Sequence, residues 1–287
     1  MNSALATASA ADEAVGQPAP LTLIVLTNFF PAAYQAVRYA AELAAPIGAR
    51  LVLLHVRAAS ALEGELLLRP PKHEGDLRAA VLAIAHGVAV PVAVELVPDL
   101  QLSTALGLAR RFGPVLFVLG RAEAPARNDD VSTAVQNLLR GGGFPLLVVP
   151  EAYHGPCSPT RIAVAADGEP FGLDQATFAF QLVARLRPVI TVVTVDSIED
   201  DQACAAALRY VKASGLTAGA SYTTPLAVRH PSPAQGLLTA IAQTEAQLLV
   251  LIARHRSFFG AMFHRSVTSQ LLAESPVPLL VQPATDG

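Results

Sequence analysis

Apolar residues along this chain fall into short unbroken runs, separated by stretches in which they recur every three or four positions. Residues 21–28 form an apolar run that predicts a strand. Pro31 follows, and then residues 32–47, where Tyr34, Val37, Ala41 and Ala44 share one face at helical spacing. Gly48 stands where a helix ends on a left-handed residue. A strand over 50–56 comes next, then a polar segment containing Arg69-Pro70-Pro71-Lys72, a helix over 74–86 and a strand near 90–97. A helix over 102–112, a strand over 115–119, a helix over 131–139, the Gly141-Gly142-Gly143 stop and a strand over 145–150 complete the first half.

The second half repeats this order. Strands are predicted over 161–166, 189–195, near 221–228, over 248–252 and over 277–282. Helices are predicted over 173–186, 200–214, 233–244 and 267–274. The closing runs Pro145-Leu146-Leu147-Val148-Val149-Pro150 and Pro278-Leu279-Leu280-Val281-Gln282-Pro283 differ at one position. Repetition of that kind indicates a duplicated unit. The expected division is a flexible tail over 1–20, one domain over 21–150, a linker rich in Pro, Gly and Ser over 151–160, and a second domain over 161–284. Strands that are apolar throughout and alternate with helices belong to parallel sheets covered on both faces. The expected fold is therefore α/β, two doubly wound five-stranded parallel-sheet domains in tandem. Ligands in such sheets bind beyond the carboxyl ends of the strands, where the strand order reverses.

Composition sharpens this picture at a few points. The chain has 287 residues, of which 52% are hydrophobic and 15% charged, with a net charge of −3. The absence of a cationic excess argues against nucleic-acid binding. Mean hydropathy is high at +0.44, yet no apolar run approaches the ~18–20 residues of a spanning helix, so membrane insertion is not expected. Residues 1–20 lack a basic start, and Asp12 and Glu13 interrupt the small-residue run, unlike a signal peptide. Cys157 and Cys204 are too few for a disulfide framework or a zinc clip. A cytoplasmic location follows as the expectation, with Cys204 a buried, inert thiol.

The chain resembles the universal stress protein family in tandem form. The likeness rests on Ile24-Val25-Leu26-Thr27-Asn28-Phe29, Ala40-Ala41-Glu42-Leu43-Ala44 and Leu53-Leu54-His55-Val56. It rests also on the run from Ser266 to Leu272 before Pro276-Val277-Pro278-Leu279-Leu280-Val281. The resemblance implies an adenine-nucleotide-binding-like fold. In many members it also implies an ATP site, with an Asp after strand one and a G-x2-G-x9-G-[ST] motif after strand four. Glycines there let backbone amides approach phosphates, and the hydroxyl stands at a helix start.

Only fragments of that motif survive. In the second half Asp167, Gly168 and Ser266 match, but Ile252, His255 and Arg265 occupy the glycine positions. In the first half Asn28 replaces the Asp. Counting from Gly120, the motif positions hold Glu123, Thr133 and Ala134, and a shift of one places Leu119, Ala122 and Ser132 there instead. Glu123, Asp129 and Asp130 would repel phosphate. The candidate ligand-binding residues are Asp167, Gly168, Val195, Arg254, Arg265, Ser266 and Val267.

Each has a plainer reading. Asp167 with Gly168 forms a turn pair, and Ser266 caps a helix. Arg254, His255, Arg256, His264 and Arg265 are solvated loop charges or, alternatively, the walls of an anion pocket in which Arg254 and Arg265 share an anion. Phe258, Phe259, Met262 and Phe263 read as loop anchors or a dimer contact. The histidines lack zinc-ligand spacing, and His86, His154 and His230 sit beside turn residues. No nucleophile elbow or dinucleotide fingerprint occurs.

The expected function is a non-catalytic, stress-related regulatory or interaction protein that needs no cofactor. Its halves would form an internal pseudo-dimer through the apolar closing strands, with a homodimer as a further form. The alternative is an adenine-nucleotide switch or weak ATPase that binds ATP in the second half.

Overall fold

The computed structural model describes residues 21–57, 73–123, 138, 143–174, 177–197, 201–253 and 264–284. The tail over 1–20 and the helix expected over 131–139 fall outside these, apart from Leu138. In chain order the described elements are β1 (Thr22–Thr27), α1 (Pro31–Ile47), β2 (Arg50–Val56), α2 (Glu74–Ala83), β3 (Val92–Val97), α3 (Leu102–Phe112), β4 (Val115–Arg121) and β5 (Leu146–Pro150). There follow β6 (Arg161–Ala165), α4 (Phe178–Leu186), β7 (Val189–Asp196), α5 (Asp201–Ala213), β8 (Tyr222–Arg229), α6 (Pro233–Thr244), β9 (Leu248–Ala253), α7 (His264–Glu274) and β10 (Leu279–Pro283).

The strands form one ten-stranded sheet in the order β3-β2-β1-β4-β5-β10-β9-β6-β7-β8. Read from either edge to the middle, the strands follow the same sequence of positions. All the strand pairs are parallel except β5 with β10. That antiparallel pair is centred on Leu147 opposite Leu280, with Leu146 opposite Val281 and Val148 opposite Leu279. Leu147 and Leu280 hold the same place in the two closing runs, so the pairing is self-complementary, as across a two-fold axis. The expected contact between closing strands is thus a backbone ladder. It removes what would otherwise be two apolar edges.

Burial follows from the sheet. Strands β1, β2, β4, β5, β9 and β10 are buried almost end to end because helices cover both faces. The outer strands are more exposed. Strand β8 carries Pro225, which fits an edge better than a central strand.

Helix α1 is the most deeply set of the helices. Its buried face runs through Ala33, Ala36, Val37, Ala40, Leu43, Ala44 and Ile47. Small side chains allow close approach to the sheet, and Gly48 ends the helix at φ +68°. Tyr34 departs from expectation: it is 47% exposed and faces away from the core.

Two helix boundaries and one burial expectation differ from the sequence reading. The helix expected over 173–186 begins at Phe178, after the Thr177 amide donates to the Asp174 carbonyl at 3.0 Å in a turn. The helix expected over 74–86 ends at Ala83, where the amides of Ile84, Ala85 and His86 tighten onto carbonyls three residues back. Cys204 on α5 is half-exposed, and Cys157 is the buried thiol.

Residues 151–160 are pinned down. Tyr153 is buried, with its hydroxyl donating to the carbonyls of Pro156 at 3.0 Å and Gln247 at 3.3 Å. Gln35 of α1 donates its amide to the Tyr153 carbonyl. The Gln247 side chain accepts from the Thr160 amide at 2.7 Å. One connection therefore touches α1 of the first half and the entrance to β9 of the second. Arg121, at the end of β4, adds a second cross-link. Its guanidinium donates to the carbonyls of Leu272 at 3.2 Å, Ala273, and Ser275 at 2.8 Å, at the carboxyl end of α7. Cations are favoured there by the unpaired carbonyls and the helix dipole.

Candidate ligand crevices

The strand order reverses twice, between β1 and β4 and between β6 and β9. The carboxyl ends of these pairs are where a ligand would enter. Strand registers make the two places comparable, and Asn28 after β1 corresponds to Asp167 after β6.

Both residues do the same local work. The Asn28 side-chain oxygen accepts from the Phe30 amide at 3.2 Å, and the Asp167 carboxylate accepts from the Glu169 amide at 3.2 Å. Each is an Asx turn, which bends the chain from strand toward helix. Gly168 has φ +80°, and a Cβ there would lie 3.0 Å from the Ala203 carbonyl oxygen of α5. A bare residue is thus needed at that place on backbone grounds alone.

The first crevice is filled by its own chain. A Cβ built on Gly120 of β4 would lie 2.0 Å from the carbonyl oxygen and 2.4 Å from the carbonyl carbon of Ala32. The start of α1 therefore packs directly on the end of β4. Beside it, Thr27 donates its hydroxyl to the Leu54 carbonyl at 3.1 Å. His55 is buried, with Nδ1 3.1 Å from the Thr27 carbonyl oxygen and its ring 5.4 Å from that of Phe29. Burial lowers the His55 pKa below its ordinary value, and the bond to Thr27 works the other way. The imidazole is then neutral near pH 7 and donates from Nδ1 to the carbonyl. Beyond β4, Ala122 is buried and Glu123 exposed. Ser132, Thr133, Ala134, Asp129 and Asp130 lie outside the described residues.

In the second crevice the described candidates come from several elements. Val195, at the end of β7, packs against α6: a Cβ on Gly236 would lie 2.3 Å from its Cγ1. Val267 is half-buried against the core. Helix α7 begins at His264, three residues earlier than the periodicity predicts. Arg265 and Ser266 therefore lie inside its first turn, and Ser266 is not the capping residue. Ser and Arg are tolerated in a first helical turn, which moves the start upstream. Arg254, His255 and the aromatic run Phe258–Phe263 lie outside the described residues. Among the described residues no three His, Cys, Asp or Glu side chains cluster as metal ligands.

One cavity stands beside the first crevice, on the outer side of α1. It is an open groove of about 590 Å³ whose walls include Phe29, Tyr34, Arg38, Glu123, Glu151 and Ala152. Sequence reasoning missed it because its walls come from three separate places in the chain. It also passed over His55, although a histidine inside the apolar run Leu53-Leu54-His55-Val56 is a visible anomaly.

Comparison with known proteins bears on this geometry. Residues 159–283 match the model of the universal stress protein family, and those residues hold β6 to β10. The crystal structure of a universal stress protein from Archaeoglobus fulgidus DSM 4304 is similar over 91% of this chain and 98% of its own, at 13% identity and a TM-score of 0.59. The cytoplasmic domain of a prokaryotic cation chloride cotransporter is similar over 94% of this chain and 96% of its own, at 12% identity and a TM-score of 0.55. A functionally unknown protein from Pseudomonas aeruginosa PAO1 aligns over 92% of both chains, at 14% identity and a TM-score of 0.53. At these identities the likeness establishes the fold: α/β, with a mostly parallel central sheet. No curated protein matches the sequence. Among the described residues no helix is long and apolar enough to cross a membrane.

Proposed function

We propose that the chain is a tandem of two universal stress protein-like units, residues 21–150 and 161–284, acting as a non-catalytic stress-response regulatory or interaction protein. The family match to residues 159–283 supports the second unit. The first unit is supported by the repeated strand order and by the self-complementary β5–β10 ladder, which would make the chain an internal pseudo-dimer.

The observation that carries the non-catalytic reading is the use made of the family's nucleotide positions. Asn28 and Asp167 bend the chain at matching 3.2 Å contacts. Gly120, the glycine that survives after β4, faces the Ala32 carbonyl, so its missing side chain serves helix packing. Side chains hold the corresponding positions Ile252, His255 and Arg265 in the second unit. Such a protein needs no cofactor and transmits through its surfaces.

The test is to denature the purified chain and measure adenine nucleotide in the supernatant at 260 nm. This reading predicts none above the level of a mock preparation. Release approaching one nucleotide per chain would replace it with the alternative, an ATP-binding switch or weak ATPase using Asp167 and Ser266.

A further inference from the structure

We propose that the groove on the outer side of α1 binds a small organic cation with a flat apolar body. Its volume of about 590 Å³ lies within the roughly 300–1,000 Å³ of small-molecule sites. The groove borders the β1–β4 crevice and shares Phe29, after β1, and Glu123, after β4, with it.

The apolar part of the lining is Phe29, Pro31, Tyr34 and Ala152. Tyr34 is 47% exposed at a position where helical spacing favours burial, so core packing does not account for it. An exposed tyrosine and a neighbouring phenylalanine offer a face for a planar group and for a cation.

Charge selects the sign of the ligand. Glu123 follows β4 and Glu151 follows β5, and these are adjacent strands, with Arg121 paired to Pro150. Both residues therefore follow neighbouring strand ends, and both line the groove. Neither makes an ion pair among the described residues. Two cations stand near: Arg38 lines the groove and pairs along its own helix, and Arg121 is attracted to Glu123. Arg38 meets Glu42 at 3.3 Å and the Gln35 side-chain oxygen at 3.2 Å. Arg121 is directed to the three carbonyls at the end of α7, and the charge of Glu123 favours its ionised form. His154 also borders the groove without reversing this balance. An ammonium between Glu123 and Glu151, with its apolar body on Tyr34 and Phe29, would satisfy both features.

The probe is tryptamine, whose indole can be excited selectively because the chain contains no Trp. Its fluorescence anisotropy is followed as protein is added at low salt. Saturable binding with a Kd below about 1 mM is expected, with the isosteric indole-3-acetate and indole-3-ethanol at least about tenfold weaker. The paired change Glu123→Gln with Glu151→Gln, and separately Tyr34→Ala, should each weaken tryptamine by about tenfold. All three side chains lie at the surface, and circular dichroism confirms that the variants stay folded. Leu106→Ala, on an exposed face of α3, should leave binding unchanged. No saturation by about 5 mM, equal affinity for the carboxylate, or insensitivity to the paired change would each overturn the proposal.

Discussion

Replacing Gly120 with Ala tests the packing of α1 on β4. The new Cβ would lie 2.0 Å from the Ala32 carbonyl oxygen, a full 1 Å inside the 3.0 Å that such atoms essentially never breach. The Ala32 carbonyl carbon at 2.4 Å and the Ala33 nitrogen at 3.0 Å are backbone too, so no side-chain rotation can relieve the clash. Either the first turn of α1 lifts or β4 bends, and β4 is buried along almost its whole length. Overpacking by one methyl typically costs about 1–3 kcal/mol, and a rigid backbone obstacle places this case at about 3 kcal/mol or above. Gly107, inside α3, provides the control because nothing lies within 4 Å of its Cβ position. Gly107→Ala should gain up to about 1 kcal/mol from helix propensity. Urea midpoints at unchanged slope, followed by circular dichroism, read both changes. If Gly120→Ala unfolds at the same urea concentration as the parent chain, the close approach of α1 is wrong, and so is the packing reason for that glycine.

Three further outcomes follow from the same geometry. Arg121→Ala should lower stability by about 2–3 kcal/mol, because three carbonyls at the end of α7 lose charge-assisted donors. Arg121→Lys should recover less than half in the same urea melts, since one ammonium cannot span the three. The His55 pKa is lowered on folding from 6.5, so the folded state binds fewer protons than the unfolded one just below that pH. Stability should be full above pH 6.5 and fall as the pH drops further, and His55→Gln should flatten that slope in melts between pH 8 and 5. Burial, together with the bond to Glu42, pushes the Cys157 thiol up to about 12. At pH 8 a thiol reagent should therefore label Cys157 at least about a hundredfold more slowly in native protein than in urea, followed by peptide mass, with half-exposed Cys204 as the internal reference.

The parts of the fold visible in the sequence are those governed by local periodicity. Residues 50–56, 102–112 and 233–244 come out with their predicted limits because an apolar run or stripe ends at Gly, Pro or a charge. The antiparallel β5–β10 ladder was legible as two matching apolar runs with edges to cover, although its register was not. Where prediction slips, the cause is tertiary. Tyr34 has the right spacing for a core face but lies at the rim, and the buried tyrosine of α1 is Tyr39 instead. Ser266 resembles a cap, and α7 starts upstream of it. The groove was invisible because Glu123, Glu151 and Tyr34 are brought together by strand order, which periodicity does not encode. Asn28 and Asp167 were comparable in sequence, whereas their equal hydrogen bonds required coordinates.

The central claim is that neither crevice is built to hold ATP, and thermal unfolding with and without ATP–Mg²⁺ tests it most directly. A nucleotide present at 100 times its Kd adds about 2.7 kcal/mol, which displaces the midpoint by several degrees in a domain of this size. No displacement is predicted up to about 5 mM ATP, for the parent chain or for Asp167→Ala. A clear upward displacement in the parent chain that disappears in Asp167→Ala would contradict the account, placing a working nucleotide site in the second unit.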